Sequence, residues 1–319
     1  NENDTVNFQS ETLDSSAVQL TASYTNTDEN YVIRLNGTKG IGFSHLTIRN
    51  NSFNSYSRVI QLDSGAAHVH FENCDLIAGP TTSSSTSVFY AYNSNNNSPE
   101  MHDITINAST LRNGYYSIYL VSRVGRAYNI WISNSSIIDP YRSGININDH
   151  DSIFIDKNTI IPKSTATPSF QGIYLYDTKM GKISGNKIWA PSSEDGIYTY
   201  QIEGSNTDPF VISNNFISVG GSSSNGYGIE LYRANYTKVV HNSILSTNSN
   251  TSAAAFNEDY SFFNGSNGLE VLNNIFQNTG GGYAIKVDHS STSTVFNYNS
   301  LFNTGANIGS WGGTNAATF

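Results

Sequence analysis

Two six-residue stretches, Ile212-Ser-Asn-Asn-Phe-Ile217 and Val239-Val-His-Asn-Ser-Ile244, share one pattern: apolar, two variable residues, small polar, one variable residue, apolar. The same pattern recurs ten times along the chain. Its members are Ile48–Phe53, Phe71–Leu76, Ile106–Leu111, Ile132–Ile137, Ile155–Ile160, Ile183–Ile188, Ile212–Ile217, Val239–Ile244, Val271–Phe276 and Phe296–Leu301. A motif that returns every 20 to 50 residues or so is typical of solenoid proteins.

The spacing of the small polar residue gives the period. The ten positions are Asn51, Cys74, Ser109, Ser135, Asn158, Asn186, Asn215, Asn242, Asn274 and Asn299. From the first to the last, nine steps cover 248 residues, which is a mean of about 28, and single steps range from 23 to 35. Surface loops absorb such differences at a small entropic cost, while the strands between them keep their register.

A second pattern of short alternating strands lies between successive members of the first. One column of these strands reads Ile60, Phe89, Ile118, Ile145, Ile173, Ile197, Ile229, Ala254 and Ile285. Alternate residues of a strand point to opposite faces, so this column faces the interior. A third strand, such as His68–Phe71, precedes each polar turn. The sequence therefore predicts an all-β protein, a single-stranded right-handed parallel β-helix of about ten coils with three short strands per coil.

The polar column itself has a physical interpretation. An Asn at the same bend of each coil can hydrogen-bond its amide to the Asn residues one coil above and below, at a strand spacing of about 4.8 Å. Such a ladder satisfies polar atoms that a buried bend would leave unpaired. Asn is also a common turn residue, but ten aligned positions flanked by apolar residues favour an internal Asn/Ser ladder.

Composition excludes several classes of partner. The 319 residues carry 25 acidic and 16 basic side chains, a net charge of -9, whereas nucleic acid and anionic lipid are bound by clustered Lys and Arg. Charged residues make up only 13%, against about 25% in an ordinary domain, and this neutral polar surface favours the cell exterior. Cys74 is the single cysteine, so no internal disulfide forms, and no apolar run approaches the roughly 20 residues that span a bilayer.

The domain organisation follows from the repeats. We expect one β-helix domain over residues 1–319, with an entry segment and first coil in 1–40, regular coils in 41–305 and the start of a truncated carboxyl-terminal element in 306–319. The chain starts at Asn1 and carries no signal-peptide pattern. A mature or excised segment of a longer chain, with neighbouring modules as partners, fits these features best.

Several segments carry a resemblance to a known superfamily, among them Gly172-Ile-Tyr-Leu-Tyr176, Leu272-Asn-Asn-Ile-Phe276 and Gly309-Ser-Trp-Gly-Gly313. They resemble the right-handed parallel β-helix repeat (pectate-lyase-like) superfamily. Within it, the chain is most similar to the β-helix modules of giant secreted or cell-surface adhesin-like proteins of gliding and related Gram-negative bacteria. The resemblance covers nearly the whole chain and implies export to the outer cell surface, but fold-level kinship does not imply function.

Tyrosines dominate the outward positions of the second pattern. They are Tyr90, Tyr92, Tyr119, Tyr174, Tyr176, Tyr198, Tyr200 and Tyr232. Sugar rings stack on aromatic faces while their hydroxyls meet polar side chains, so a polysaccharide or cell-surface glycan could lie along this strip. The alternative is that the rings only stack on one another, since aromatic cross-strand pairs stabilise a sheet by about 0.2 to 1 kcal/mol each.

Candidate catalytic residues are few. The densest titratable cluster is Asp149, His150 and Asp151, followed one coil later by Asp177. A carboxylate beside a His could act as an acid–base pair, and carboxylates of adjacent coils could hold Ca²⁺, the only cofactor that the residue pattern suggests. The same residue types are ordinary turn formers.

Other clusters are weaker. Acidic groups also occur at Glu194–Asp195 and Glu258–Asp259, and glycosidases need two carboxylates about 5 to 10 Å apart, which sequence cannot show. The spacing of His68-Val-His70 places two imidazoles on one strand face, where they could bind a metal, but a solvated strand is the simpler interpretation. No metal site is predicted.

Three functions remain open. The first is a non-catalytic adhesin or spacer module of a large secreted bacterial surface protein, with glycan contact along the tyrosines. The second is an extracellular polysaccharide lyase, epimerase or glycoside hydrolase of the β-helix type. The third is a cargo segment of a protein-secretion machine.

Overall fold

The computed structural model describes residues 5–24, 26, 29–52, 57–93, 101–123, 125–192, 195–222, 226–259, 266–288 and 294–318. Throughout these residues every regular element is a β-strand. The chain divides into two compact units, Asn1–Thr165 and Ala166–Phe319, which are described separately.

Unit 1 contains seventeen strands within its described residues. They are β1 (Val6–Gln9), β2 (Gln19–Ala22), β3 (Tyr31–Asn36), β4 (Lys39–Ser44), β5 (Thr47–Asn50), β6 (Arg58–Asp63), β7 (Ala67–Glu72), β8 (Asp75–Ile77), β9 (Ser87–Asn93), β10 (His102–Asn107), β11 (Thr110–Arg112), β12 (Tyr116–Ser122), β13 (Ala127–Ser133), β14 (Ser136–Ile138), β15 (Ser143–Asn148), β16 (His150–Asp156) and β17 (Thr159–Ile161).

Unit 2 contains sixteen strands within its described residues. They are β18 (Gln171–Ser184), β19 (Lys187–Ala190), β20 (Asp195–Glu203), β21 (Phe210–Ser213), β22 (Phe216–Val219), β23 (Tyr227–Asn235), β24 (Thr237–Val240), β25 (Ser243–Ser246), β26 (Ala254–Asp259), β27 (Glu270–Leu272), β28 (Ile275–Asn278), β29 (Tyr283–Val287), β30 (Val295–Asn297), β31 (Ser300–Asn303), β32 (Gly309–Trp311) and β33 (Thr314–Ala316).

Each strand of a coil pairs in parallel with its counterpart in the next coil, which confirms the parallel β-solenoid with three strands per coil. In unit 1 the first face is β3, β6, β9, β12 and β15, the second is β1, β4, β7, β10, β13 and β16, and the third is β2, β5, β8, β11, β14 and β17. The short strands with β-branched residues predicted this arrangement.

Unit 2 repeats the three faces. The first face is the start of β18 with β20, β23, β26, β29 and β32, the second is the end of β18 with β21, β24, β27 and β30, and the third is β19, β22, β25, β28 and β31. The final strand β33 is different because it pairs antiparallel with β32. Gly312 and Gly313 form the tight turn between them at positive φ, as two-residue hairpins require.

Stacked apolar side chains fill the interior of both units. In unit 1, Ile60 registers with Phe89 and Phe89 with Ile118 on the first face, and all three are fully buried. In unit 2, Ile197 registers with Ile229 and is likewise buried. Burying an Ile or Phe side chain stabilises a fold by about 1.5 to 3 kcal/mol, so these columns hold the coils together in the absence of a disulfide.

The ladder occupies the bend between the second and third faces. In unit 2, Asn215 donates its backbone N–H and its side-chain Nδ2 to Oδ1 of Asn242, at 3.0 and 2.9 Å. Asn242 does the same towards Asn274 at 2.9 and 3.0 Å. Nδ2 of each Asn also reaches a carbonyl of the preceding coil, as Asn242 does with Ile212 at 2.9 Å. The amide ladder predicted from the sequence is confirmed within this unit.

The bend depends on an unusual backbone conformation just before the ladder residue. The residue preceding each rung has a positive φ; in chain order these residues are His45, Asn73, Ala108, Asn134, Lys157, Gly185, Asn214, His241, Asn273 and Tyr298. Only one of them is Gly, the residue that adopts this conformation at no steric cost. Four others are Asn, which also adopts it readily, but Ala108, Lys157 and Tyr298 do not, so the geometry of the bend imposes the angle at these positions and aims the next side chain inward.

Two register predictions are wrong by a few residues. The first rung is Leu46 rather than Asn51, because Phe43 registers with Phe71 and Ile48 with Leu76. Residues 43–48 share only the apolar ends of the pattern, since Leu46 stands at the small polar position, and Asn51 has an exposed side chain.

On the first face, Phe256 rather than Ala254 continues the inward column. It registers with Ile229 on one side and Ile285 on the other. The Phe256 ring fills the interior at this level, where it packs on Phe276 with centroids 5.2 Å apart.

Candidate functional site

The first face of unit 2 gathers five of the predicted tyrosines in one patch, called the tyrosine site: Tyr174, Tyr176, Tyr198, Tyr200 and Tyr232. Strands β18, β20 and β23 carry them at outward positions in strict register. Because parallel strands are about 4.8 Å apart, rings at equal positions lie one above the other. The sequence pattern therefore places all five on one surface.

The rings of the tyrosine site stack closely. Tyr174 and Tyr198 have centroids 5.2 Å apart with 7° between their planes, and Tyr176 and Tyr200 are 5.0 Å apart at 3°. Tyr232 tilts against both Tyr198 and Tyr200, at 5.5 and 5.8 Å. These distances fall in the range of favourable aromatic pairs, worth about 0.5 to 1.5 kcal/mol each, so stacking contributes to the stability of this face.

Carboxylates lie directly beside the rings. Glu230 registers with Tyr198 and is only 3% exposed, and its Oε1 accepts a hydrogen bond of 2.9 Å from Nδ2 of the buried Asn257. Asp259 registers with Tyr232 and is hydrogen-bonded to it. The register correction at β26 matters here. The predicted register would have placed Ala255 and Asn257 at these outward positions, whereas the structure places Asn257 and Asp259 there.

A third acidic group, Asp195, lies at the start of β20 and is almost fully buried. Its Oδ2 accepts a hydrogen bond of 3.3 Å from Gln171, and its Oδ1 accepts one of 3.3 Å from the backbone N–H of Tyr227. The sequence groups Asp195 with Glu194, which lies outside the described residues. The structure places Asp195 on the same face as Glu230.

Burial and negative charge act together on the phenols. Burial, followed by the charge of Glu230, raises the pKa of Tyr198, Tyr227 and Tyr232 well above the usual value. These groups therefore stay protonated and remain able to both donate and accept hydrogen bonds. The patch offers the apolar edges of the stacked rings, hydroxyl groups and carboxylate acceptors, which together match the mixed apolar and hydroxyl surface of a sugar ring.

The remaining predicted tyrosines, Tyr90, Tyr92 and Tyr119, lie on the first face of unit 1. Tyr90 stacks on Tyr119 with centroids 5.7 Å apart, and the Arg58 guanidinium covers the Tyr90 ring at 3.5 Å. Burial raises the pKa of Tyr119 to about 12. A cation on one ring face leaves less aromatic surface for a ligand, so this group is a weaker candidate than the tyrosine site.

The predicted catalytic cluster divides into residues with different surroundings. His150 is fully buried, its Nδ1 lies 2.6 Å from the carbonyl oxygen of Asn148, and burial lowers its pKa to about 4. Asp151 pairs with Arg126 at 2.8 Å, and Asp149 has a turn conformation with a φ of 61°. Asp177 belongs to unit 2, also at a positive φ. A buried neutral imidazole packs in the fold without reaching solvent, which does not favour an acid–base role.

Sequence reasoning missed two groupings. Glu230 occupies an outward position in the same column as the tyrosines. The alternation of outward and inward residues along its strand could have revealed it. The sequence pairs His68 with His70, but the structure brings His68 to His102 and Asp103 instead, 34 and 35 residues further along the chain. Only the coil register could have revealed this contact.

Comparisons with known proteins show the fold. No family model matches the chain, and no curated protein matches it. Among solved structures, it is similar to the Dettilon tailspike protein, with a TM-score of 0.60 and 14% identity over 95% of this chain and 60% of that one. It is also similar to the GH136 lacto-N-biosidase from Eubacterium ramulus, with a TM-score of 0.55 and 10% identity over 86% and 51%.

A third similar structure is PfbA, a surface adhesin of Streptococcus pneumoniae, with a TM-score of 0.51 and 13% identity over 89% of this chain and 72% of that one. The chain spans 60% and 51% of the first two proteins. These likenesses establish the parallel β-helix fold. In the part of the chain that the structure describes, no helix has the length and apolar character needed to cross a bilayer.

Proposed function

We propose that this protein is an extracellular β-helix module that binds a polysaccharide or cell-surface glycan at the tyrosine site. The observation that carries the proposal is the set of five stacked tyrosines with Glu230 and Asp259 beside them. Stacked rings present continuous apolar surface at a spacing of one coil, and the adjacent carboxylates accept hydrogen bonds from sugar hydroxyls. The tailspike and adhesin likenesses support a surface role.

A glycan array or pull-down tests the proposal. The double variant Tyr174→Ala/Tyr198→Ala removes one stacked pair, and we expect at least about tenfold weaker binding, since aromatic anchors contribute about 1 kcal/mol or more each to an interface. Trp189→Ala is the matched control, because Trp189 is an exposed aromatic residue on the third face of the same unit. Equal binding by wild type and the double variant would remove the tyrosine site from the proposal.

A glycoside hydrolase or polysaccharide lyase is the second candidate, and the position of Glu230 and Asp259 on one face favours it. Two carboxylates on one face are what sugar hydrolysis requires, and Glu230 and Asp259 lie on adjacent strands. Acidic and neutral polysaccharides would be incubated with and without Ca²⁺ and assayed for new reducing or unsaturated ends. Product from wild type but not from Glu230→Gln, with binding retained, supports the enzyme; silence across the panel supports a binding module.

We further propose that the module is secreted to the outer cell surface as an adhesin or spacer segment of a longer protein, like the surface proteins of gliding Gram-negative bacteria that it resembles. Transit through a protein-secretion machine as cargo is the remaining alternative. Antibody labelling of intact cells is expected to detect the module at the surface. Labelling only after the cells are permeabilised would contradict the proposal.

A further inference from the structure

A cluster of metal-ligating side chains lies on the second face of unit 1. Nδ1 of His68, on β7, lies 3.0 Å from Oδ2 of Asp103, and Nδ1 of His102, on β10, lies 2.9 Å from the same oxygen. Within the described residues this is the one group of three or more such side chains whose ligand atoms all lie within 4.8 Å of one another.

The backbone explains why these residues meet. Strands β7 and β10 pair at Ala67 with His102 and at Val69 with Ile104, so His68 and Asp103 lie opposite each other in the same register. Both have a positive φ, of 53° and 54°. This left-handed conformation interrupts the regular alternation of each strand, and its repetition at the same position of adjacent coils brings His68 and Asp103 together.

Neighbouring side chains orient the cluster. Nδ2 of Asn129 donates a hydrogen bond to Oδ1 of Asp103, and Nε1 of Trp131 donates one of 2.7 Å to Oδ1 of Asn129. The His102 ring stacks on Tyr128 with centroids 4.9 Å apart and 3° between planes. Supporting hydrogen bonds that fix the ligand groups are a regular feature of protein metal sites.

We propose that His68, His102 and Asp103 bind a Zn²⁺ ion through the two Nδ1 atoms and the Asp103 carboxylate. Zinc takes imidazole nitrogen and carboxylate oxygen at about 2.0 to 2.2 Å, so tetrahedral ligand atoms are about 3.3 Å apart. The observed separations of 2.9 and 3.0 Å reach that value with small side-chain shifts. Imidazole ligands favour Zn²⁺ over Ca²⁺ and Mg²⁺, which prefer oxygen.

The surroundings suit a cation. Asn129 donates a hydrogen bond to Oδ1 of Asp103, whereas Oδ2 is the oxygen that lies close to both imidazoles. His68 and Asp103 also line a groove of about 540 Å³, which gives the ion a path from solvent. Three protein ligands leave a fourth position for water or a solute.

The test is Zn²⁺ binding by tag-free full-length chain, measured by calorimetry and by competition with a coloured chelator. We expect one Zn²⁺ per chain, with affinity lowered at least tenfold in each of His68→Gln, His102→Gln and Asp103→Asn. His70→Gln is the matched control, because His70 lies on the same strand and lines the same groove but is not one of the three ligands; its affinity should equal that of wild type.

A second measurement on wild type covers the case in which a variant fails to fold. In protein with isotope-labelled histidines, Zn²⁺ should shift the imidazole resonances of His68 and His102 and leave that of His70 in place. Lack of saturable binding at about 1 mM Zn²⁺ would overturn the site. So would an affinity that falls equally in His70→Gln, or a resonance shift confined to histidines other than His68 and His102.

Discussion

The two units build the same bend from different side chains. In unit 2 the rungs are all Asn, from Asn186 to Asn299, and each bonds both the backbone and the side chain of its neighbour. In unit 1 they are Leu46, Cys74, Ser109, Ser135 and Asn158, and a Ser hydroxyl accepts only the preceding backbone N–H. A Ser rung thus supplies one acceptor for one N–H, the Asn side chain adds further bonds, and Leu46 shows that the bend also forms at a rung with an apolar side chain.

A second inward column of the first face, two residues further along each strand, is also more polar in unit 2 than in unit 1. In unit 1 it reads Leu62, Ala91, Leu120 and Ile147, and in unit 2 it reads Leu175, Thr199, Leu231, Glu258 and Val287. Unit 2 therefore keeps polar groups in its interior on the strands that carry the tyrosine site outside. Unit 1 has only apolar side chains in that column. Substitutions can therefore measure how much the polar groups of unit 2 contribute to its stability.

The largest effect is expected from Asn242→Ala. This change leaves the backbone N–H of Asn215 and the carbonyl of Ile212 without their partner, and each stranded buried group costs about 1 to 3 kcal/mol. We expect a loss of about 3 kcal/mol in the free energy of unfolding. Asn242→Ser, which copies a unit 1 rung, should lose about half as much. Urea unfolding measures the loss, and hydrogen exchange at the Asn215 amide locates it.

Asn51→Ala is the control for that experiment. Its side chain is exposed and lies outside the ladder, so its effect should stay within about 0.5 kcal/mol. If Asn242→Ala destabilised the protein no more than Asn51→Ala, the Asn ladder would not contribute to the stability of unit 2. Apolar packing alone would then stabilise both units.

An intermediate, pH-dependent effect is expected from Glu258→Gln. Glu258 is 1% exposed, and burial raises the pKa of its carboxyl, an effect that hydrogen bonds from Ser266 partly offset. The folded state therefore holds a proton that the unfolded state releases. Stability is greatest below the ordinary pKa of about 4.3 and falls, by up to about 1.4 kcal/mol per pH unit, as pH rises through the raised value. Glu258→Gln should abolish that slope.

Glu270→Gln provides the comparison, because Glu270 is a half-buried residue of the second face, paired with Lys238 at 3.2 Å. Exposed pairs of this kind contribute at most about 1 kcal/mol, so the slope of wild type should persist in this variant. Unfolding curves between pH 4 and pH 8 give the result. An unchanged slope in Glu258→Gln would mean that another group carries the pH dependence.

The repeat pattern predicts the fold because its physical causes are local. Apolar alternation defines the strands, and the spacing of Asn158 and its counterparts defines the coil. The predicted register fails at two places: at Asn51, because the first rung is Leu46 and departs from the small polar pattern, and at Ala254, where Phe256 lies inward. In both cases a bulky residue nearby wins the inward position, and its preference cannot be inferred without the neighbouring coil.

The candidate sites are less accessible to sequence reasoning. The tyrosines follow from alternation on single strands, and all five of unit 2 meet as expected. Glu230 lies in the same column but shows its burial only in the fold. His68 meets His102 and Asp103 because His68 and Asp103 have a positive φ at the same position of adjacent coils, a match that the sequence of one coil does not show. Contacts between coils therefore define the chemistry, whereas patterns within coils define the scaffold.

The smallest effect is expected from Cys74→Ser, which makes the Cys rung of unit 1 like the Ser rungs of the same unit. The Cys74 thiol is buried and lies 3.4 Å from the carbonyl oxygens of Phe43 and Glu72, while the hydroxyls of Ser109 and Ser135 donate to the equivalent carbonyls at 2.8 and 2.7 Å. A hydroxyl should bond there more strongly and pack slightly less well than a thiol, so the two terms offset each other. We expect the free energy of unfolding, measured with urea, to change by less than about 0.5 kcal/mol. A loss above about 1.5 kcal/mol would show that unit 1 uses this position for packing, and that its Ser rungs differ from its Cys rung in kind.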